Sequence, residues 1–287
     1  MIIILGAIIV TASVLGGFVM AKGNILTLLQ WSEFVVILGA ALGSMITMSP
    51  KKVLIDLAKM CISSLKGAPY TKAAYVELLK ALYELFMLGR RNGMIALEEH
   101  VMNPKTSSIF TKYPTFIANH HAVDFLCNSL RPIIDGKIKP DQLKLILEIE
   151  LDSMEAEHHA PVMVLTKTAD SMPGFGIVAA VLGIVITMGS IGGPVAEIGH
   201  HVAAALVGTF LGILVSYGYL NPLATNLEFY GQAELGYSKC IADSVIGFAH
   251  GMAPIMAVEV ARRGLTSDVR PNAEELEEML KSIGKSK

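Results

Sequence analysis

Ionisable side chains are missing from four long stretches of this 287-residue sequence. Residues 1–21, about 30–48, 172–192 and 202–221 hold no lysine or arginine and one acid between them, Glu33, near an end of its stretch. Each is close to the ~20 residues that a helix needs to cross a hydrocarbon core. Spans so poor in titratable groups have no evident ion carrier of their own, so a charge crossing the bilayer here requires a group from a partner. Cysteine is scarce too. Cys61, Cys127 and Cys240 stand alone, which excludes a disulfide framework and a thiolate metal site and fits reduced, packed thiols. The histidine pairs His120-His121, His158-His159 and His200-His201 are adjacent, not one helical turn apart as shared metal ligands require.

Other absences narrow the function further. No glycine-rich phosphate loop opens a helix and no nucleophile elbow is present, so the chain does not read as an enzyme, and no cofactor or metal is expected. Basic residues are not in excess. The net charge of −2 argues against nucleic acid, whose phosphates demand a clustered positive surface. Strand-like alternation of useful length is missing as well, which leaves an all-α polytopic membrane protein with a helical cytoplasmic domain as the expected fold.

What is present agrees. Apolar residues make up 53% of the chain, and the charges are gathered between and after the apolar stretches. Residues 49–171 hold 15 of the lysines and arginines, residues 222–287 hold 7, and Lys22 is the remaining one. Because basic residues accumulate on the cytoplasmic side, both polar regions and both termini are expected in the cytoplasm, with short outer loops at about 22–29 and 193–201. The first span lacks a basic leader and a cleavage site and is expected to be retained. The predicted organisation is spans 1 and 2 at 1–48, a cytoplasmic helical domain at 49–171, spans 3 and 4 at 172–221, and a cytoplasmic tail at 222–287.

Within the polar regions, helical spacing of Val53, Leu54, Leu57 and Met60 predicts an amphipathic helix over 52–66. Residues 71–91 repeat the pattern up to a turn at Asn92-Gly93. Pro140-Asp141 opens another helix, carrying the acids Glu148, Glu150, Asp152, Glu155 and Glu157. The tail ends in NAEELEEMLKSIGKSK, acidic early and basic late, as the helix dipole favours.

Inside the spans, Gly39 with Gly43 and Gly208 with Gly212 have the small-xxx-small spacing of closely approaching helices, or reflect the glycine content of membrane helices in general. Pro173 and Pro222 fall at the cytoplasmic boundary of one hairpin, where they either end the helices or loosen the backbone into a hinge. Thr187, Thr209 and Ser216 either line a polar path or bond their own helix. His200 and His201, in an outer loop, either sense pH or are plain surface histidines.

The stretches ADSMPGFGIVAAVLGIVITMG, AALVGTFLGILVSYGYLNPLA and GRRNGMIALEEHVMNP resemble the MotA family, the larger stator subunits of bacterial flagellar motors, in the right order and on the right topology. The resemblance implies a bacterial inner-membrane protein and a ring, understood as five copies, around the helices of two MotB subunits. An aspartate of MotB would take up the coupling ion, and the ring would turn the rotor through its protein FliG. It also implies roles. Pro173 and Pro222 match prolines that couple ion flow to torque, which favours the hinge. Arg90 and Glu98 match a charged pair facing FliG, Glu150 a further acid of that face, and Arg91 and Glu99 are neighbouring candidates. Ala180 stands where sodium-driven relatives of the PomA type carry a threonine, which favours protons, with Thr209 as the polar group near the partner aspartate. A sodium-driven stator and an ion-driven complex of the ExbB or TolQ type, with fewer spans, are the alternatives. A solute transporter fits less well, because the spans show no polar site at their midplane.

Overall fold

The computed structural model describes residues 2–67, 70–189 and 191–285. Met1, Ser190 and Lys287, which fall in the stretches read above as spans and tail, lie outside the described residues. The described residues form helices and no strand: α1 (Ile2–Met20), α2 (Trp31–Met48), α3 (Lys51–Lys66), α4 (Lys72–Asn92), α5 (Glu98–Met102), α6 (Pro114–Ala118), α7 (His120–Ile134), α8 (Pro140–Gly189), α9 (Val195–Val215), α10 (Asn221–Ala249), α11 (Pro254–Gly264) and α12 (Ala273–Lys285). Four helical segments are long and apolar enough to cross a membrane, at Ile2–Met20, Ile25–Met48, Pro140–Gly189 and Val195–Ala249.

The chain divides into two compact units. The first comprises residues 1–67 and 157–230, and the second residues 68–156 and 231–287. In the first, α2 lays Ile37 and Ala41 against Met172 and Ala179 of α8 and Leu211 of α9. Leu57 and Met60 of α3 meet Val162, Leu165, Ala224 and Leu227 in a separate cluster. No residue of α1 is buried. An apolar helix left so largely open suits lipid or another protein as its surroundings, not water.

The second unit has the larger core. Leu78, Leu79, Leu82, Leu85 and Phe86 of α4 pack with Phe110, Phe116, Leu126 and Leu130 from the loop region and α7. Tyr237, Ile241 and Val245 of α10, Ala257 and Val258 of α11, and Leu276 and Leu280 of α12 complete it. The insert and the C-terminal region, separate in the sequence reading, therefore share one core. Local signals set the helix ends. Thr71 Oγ1 accepts from Ala74 N–H at the start of α4, and Asn119 Oδ1 accepts from Ala122 N–H at the start of α7. Asn272 and Glu275 form a reciprocal capping box ahead of α12, at 2.7 and 2.9 Å.

Two boundaries differ from expectation. Residues 140–189 form one uninterrupted helix through Pro161 and Pro173, so no break separates the acidic helix from span 3. Span 4 begins at Val195, capped by Pro194, so His200 and His201 are helical and not in a loop. His201 Nε2 lies 3.8 Å from Glu197 Oε1, one turn earlier.

Candidate functional site

The candidate residues fall into two groups, one in each unit. In the first unit, α8 and α9 approach to backbone contact because glycines face each other. A methyl group on Gly212 would lie 2.6 Å from the carbonyl oxygen of Met172, and one on Gly176 would lie 3.0 Å from that of Gly208 and 3.2 Å from Cα of Thr209. A methyl on Gly183 would meet Ala205 at 2.8 Å. The Gly208–Gly212 pair is thus a packing device, as small-xxx-small spacing predicts. Gly39 and Gly43 of α2 face open space within the chain.

Pro173 lies inside α8, so it does not end that helix. Its missing N–H leaves the carbonyl of Ala169 without its α-helical donor. At Pro222 the chain solves the same problem by widening. Ser216–Leu220 forms a π-helical turn between α9 and α10, and the N–H of Asn221 bonds back five residues to the carbonyl of Ser216. The ring of Pro222 would otherwise press on the carbonyl of Gly218, and π turns recur at functional positions. The turn is tied to its surroundings. Thr11 Oγ1 donates to the carbonyl of Ala7 at 2.7 Å, so the phenol of Tyr219 donates to Thr11 at 2.8 Å. Asn221 Nδ2 reaches Ser216 Oγ at 3.4 Å and Asp170 Oδ1 at 3.5 Å.

The hydroxyl candidates part ways. Thr187 is buried and donates to the carbonyl of Gly183 at 2.8 Å, so its proton serves its own helix. Thr209 is half-buried, and its hydroxyl makes no hydrogen bond among the described residues. Ala180 is half-buried and brings no oxygen. Sequence reasoning missed the π turn and the Asp170–Asn221–Ser216 group. The proline marked the place, but nothing local specified how the helix would absorb it.

In the second unit Arg90, Arg91, Glu98 and Glu99 flank one buried contact. Gly89 of α4 receives Leu97, whose Cδ1 would lie 3.0 Å from a methyl there, as would the ring of Phe248. Leu97 is fully buried, and Gly93, at φ +86°, provides the turn that brings it back. The residues immediately after this contact are Arg90 and Glu98. Arg90, Arg91, Glu98 and Glu99 are all exposed, and among the described residues none of them forms an ion pair. Glu150 sits half-buried on α8, and burial raises its carboxyl above the usual range.

Beneath this surface lies a polar layer. Glu84, buried on α4, accepts from Lys112 Nζ and from the phenol of Tyr113, the latter at 3.2 Å. Ser107 Oγ accepts from the N–H groups of Phe110 and Ile109 and lies 2.8 Å from Nδ1 of buried His100. Its own proton therefore goes to His100 Nδ1, which fixes the neutral tautomer. Burial holds the imidazole below its ordinary value. This network sets the orientation of α5, on which Glu98 and Glu99 stand. No group of three or more metal-ligating side chains occurs among the described residues.

Comparison with known proteins agrees with this layout. The family model "Motility protein A N-terminal" matches residues 4–93, and "MotA/TolQ/ExbB proton channel family" matches residues 118–230. The chain is 38% identical to "Motility protein A" of Escherichia coli (strain K12) over 283 residues, covering 99% of this chain and 96% of that protein. It is 34% identical to "Chemotaxis protein LafT" of Vibrio parahaemolyticus, covering 96% and 97%. The fold matches C. jejuni MotAB with a TM-score of 0.79 at 21% identity, over 94% of this chain and 98% of that one. It also matches the flagellar MotAB stator complex of Bacillus subtilis with a TM-score of 0.75 at 22% identity, over 96% and 98%.

Proposed function

The chain belongs to the motility protein A (MotA) family, and from that premise we propose that it is the ring-forming stator subunit of a flagellar motor. It assembles with MotB, conducts protons and converts their passage into torque on the rotor. The observation that carries this reading is the pairing of two features in one chain. One is an α8–α9 hairpin packed backbone to backbone, with a proline inside one helix and a π turn beside the other. The other is a pinned, unpaired set of exposed charges at Arg90 and Glu98. The match over residues 4–93 favours this reading over an ExbB- or TolQ-type complex.

The mechanism follows from what the spans lack. A carboxylate of MotB supplies the acid, and its protonation removes a charge that the surrounding α8 and α9 helices of several copies, five around two MotB chains, would otherwise solvate. The helices then repack. Bistable elements convert such a small local change into a step, and the π turn at Ser216–Leu220, with a bonding register one residue longer than an α-helix, is the element built to shift. Thr209, with its free hydroxyl, faces the ion path. Ala180 adds no oxygen ligand there, and a proton needs none beyond the carboxylate and a hydroxyl or water, whereas sodium needs a shell of several.

At the rotor, Arg90 and Glu98, with Arg91 and Glu99 beside them and Glu150 as a further acid, meet FliG. Exposed complementary charges set encounter and register more than affinity, which suits a contact broken at each step. Both polar regions and both termini lie in the cytoplasm, a reading supported by the distribution of basic residues.

The test is motility of a stator-deleted strain complemented with this chain and its MotB partner, across a sodium series at fixed pH and with a protonophore. Swimming that ignores sodium and stops with the protonophore is the expected result. Sodium-dependent swimming overturns the proton assignment, and absence of rescue despite membrane expression and MotB binding overturns the stator reading.

A further inference from the structure

Glu33 is the one acid in the four apolar stretches, and its place in the fold is unusual. It lies in the first turn of α2, three residues after the outer loop that ends at Gln30, and its side chain is 6% exposed. Its Oε2 is buried and makes no hydrogen bond. The oxygen occupies the space that a side chain on α9 would fill, since a methyl on Gly208 would lie 2.5 Å from Glu33 Oε2 and 3.1 Å from Cβ of Ala179 on α8. The carboxyl is therefore inserted into the junction of α2, α8 and α9. The next residue after Gly208 is Thr209 and the next after Ala179 is Ala180, the two positions read as bordering the ion path.

A carboxylate oxygen stripped of water and given no donor is costly to keep. Packing alone would be served better by a leucine or methionine. The side chain of Ser32 serves the carboxyl but leaves Oε2 without a donor, and what that oxygen offers at this depth is a place for a proton. Intramembrane ionisable residues commonly mark proton relays.

We propose that Glu33 is a proton station inside the path, at the level of the partner's carboxylate. This rests on the stator reading given above. A hydronium on the outer side gives its proton to Oε2, forming an O–H bond and releasing water. That bond then breaks as the proton passes, directly or through one water, to the ionised carboxylate of the partner, leaving Glu33 ionised again. No charge is lost or created, and the glycine at 208 is what keeps the oxygen within reach.

The experiment measures single-motor rotation at low and high load in the stator-deleted strain complemented with the full chain and MotB, for Glu33→Gln and Glu33→Asp. At low load, speed reports ion transfer, and at high load, torque per stator reports the integrity of the machine. Glutamine keeps the shape and cannot carry the proton. The expected result is low-load speed reduced about tenfold, with high-load torque per stator unchanged, the residue being bypassed by water. Glu33→Asp is expected to recover most of the speed.

Wild-type behaviour of Glu33→Gln at both loads overturns the proposal. Equal loss at both loads, or failure of Glu33→Gln to assemble with MotB, makes Glu33 a packing residue and overturns it too. Failure of the unsubstituted chain to drive any rotation is a different outcome, because it removes the stator reading itself.

Discussion

Arg90 and Glu98 are held by their neighbours and not by each other. Leu97 seated at Gly89 fixes where both charges emerge, and neither pays for an internal ion pair. Reversing both charges at once should leave thermal stability within about 0.5 kcal/mol, as for exposed positions away from special features, while swimming is strongly impaired. Soft-agar expansion at matched membrane levels checks this, and normal spreading would count against the rotor assignment. Leu97→Ala should do the opposite at the residue level, costing about 2–5 kcal/mol through the cavity it leaves and loosening the charge pair as a by-product. Differential scanning of the purified complex separates the two.

His100 adds a pH dependence with a definite sign. Its imidazole is held neutral by burial, so the unfolded chain binds more protons than the folded one between the folded value and the ordinary value of about 6.5. The stability tied to His100 is therefore complete above that ordinary value and is lost as pH falls through the folded value. Unfolding temperature measured from pH 7.5 downward should decline less steeply in His100→Gln than in the unsubstituted chain. Equal slopes would place the acid sensitivity elsewhere.

Among the elements, the hairpin of α8 and α9 is the most constrained. Gly212→Ala would force a methyl to 2.6 Å from the Met172 carbonyl, where only backbone movement makes room, and should destabilise by about 1–3 kcal/mol. Gly39→Ala, which meets nothing within 4 Å in this chain, should be neutral or slightly stabilising in the isolated chain. Thermal unfolding of each variant in detergent gives the comparison. A cost at Gly39 that appears only in the assembled complex would locate a contact with another copy.

These elements also show what the sequence made legible. The four spans, the amphipathic α3 and α4, the turn at Gly93 and the start of α8 at Pro140 all follow from local periodicity and from residues that start or stop helices. Both prolines were visible as well. Their consequence was not, because whether a proline ends a helix, as the first reading allowed, or is carried through it depends on packing on either side. Pro173 is carried by the close contact of Gly176 and Gly212, and Pro222 by a π turn whose tie to Thr11 comes from a residue 208 positions away. The burial of Glu33 was equally hidden. It depends on the absence of a side chain at Gly208, in another helix, and no local pattern encodes such a pairing.

For the whole molecule, the decisive fact is that the second unit is discontinuous in sequence. Its core takes Leu78, Leu82, Phe86 and Leu126 from before the hairpin and Tyr237, Ile241, Val245, Ala257 and Val258 from after it. Read along the chain, the last segment is a tail with one terminal helix, yet α10, α11 and α12 all contribute to the core. The ends of that segment are not equivalent. Glu259 takes hydrogen bonds from Arg262 and Arg263, which lower its carboxyl to about 2, and Arg262 also donates to the carbonyl of Pro271 at 2.9 Å. This anchors the strand of chain ahead of α12, whose own contribution to the core is Leu276 and Leu280. Truncation after Ala273 should therefore leave α4, α7, α10 and α11 packed, with a modest fall in unfolding temperature. Truncation after Tyr230 removes Tyr237 from its ring contacts with Tyr70 and Tyr75 and Phe248 from Phe86, and uncovers the side of α4 that these residues cover. Limited proteolysis of membranes should then cut residues 70–156 rapidly in the longer truncation and slowly in the shorter one. Equal protection in both would mean that the insert folds alone, and the shared core would not be what holds Arg90 and Glu98 in place.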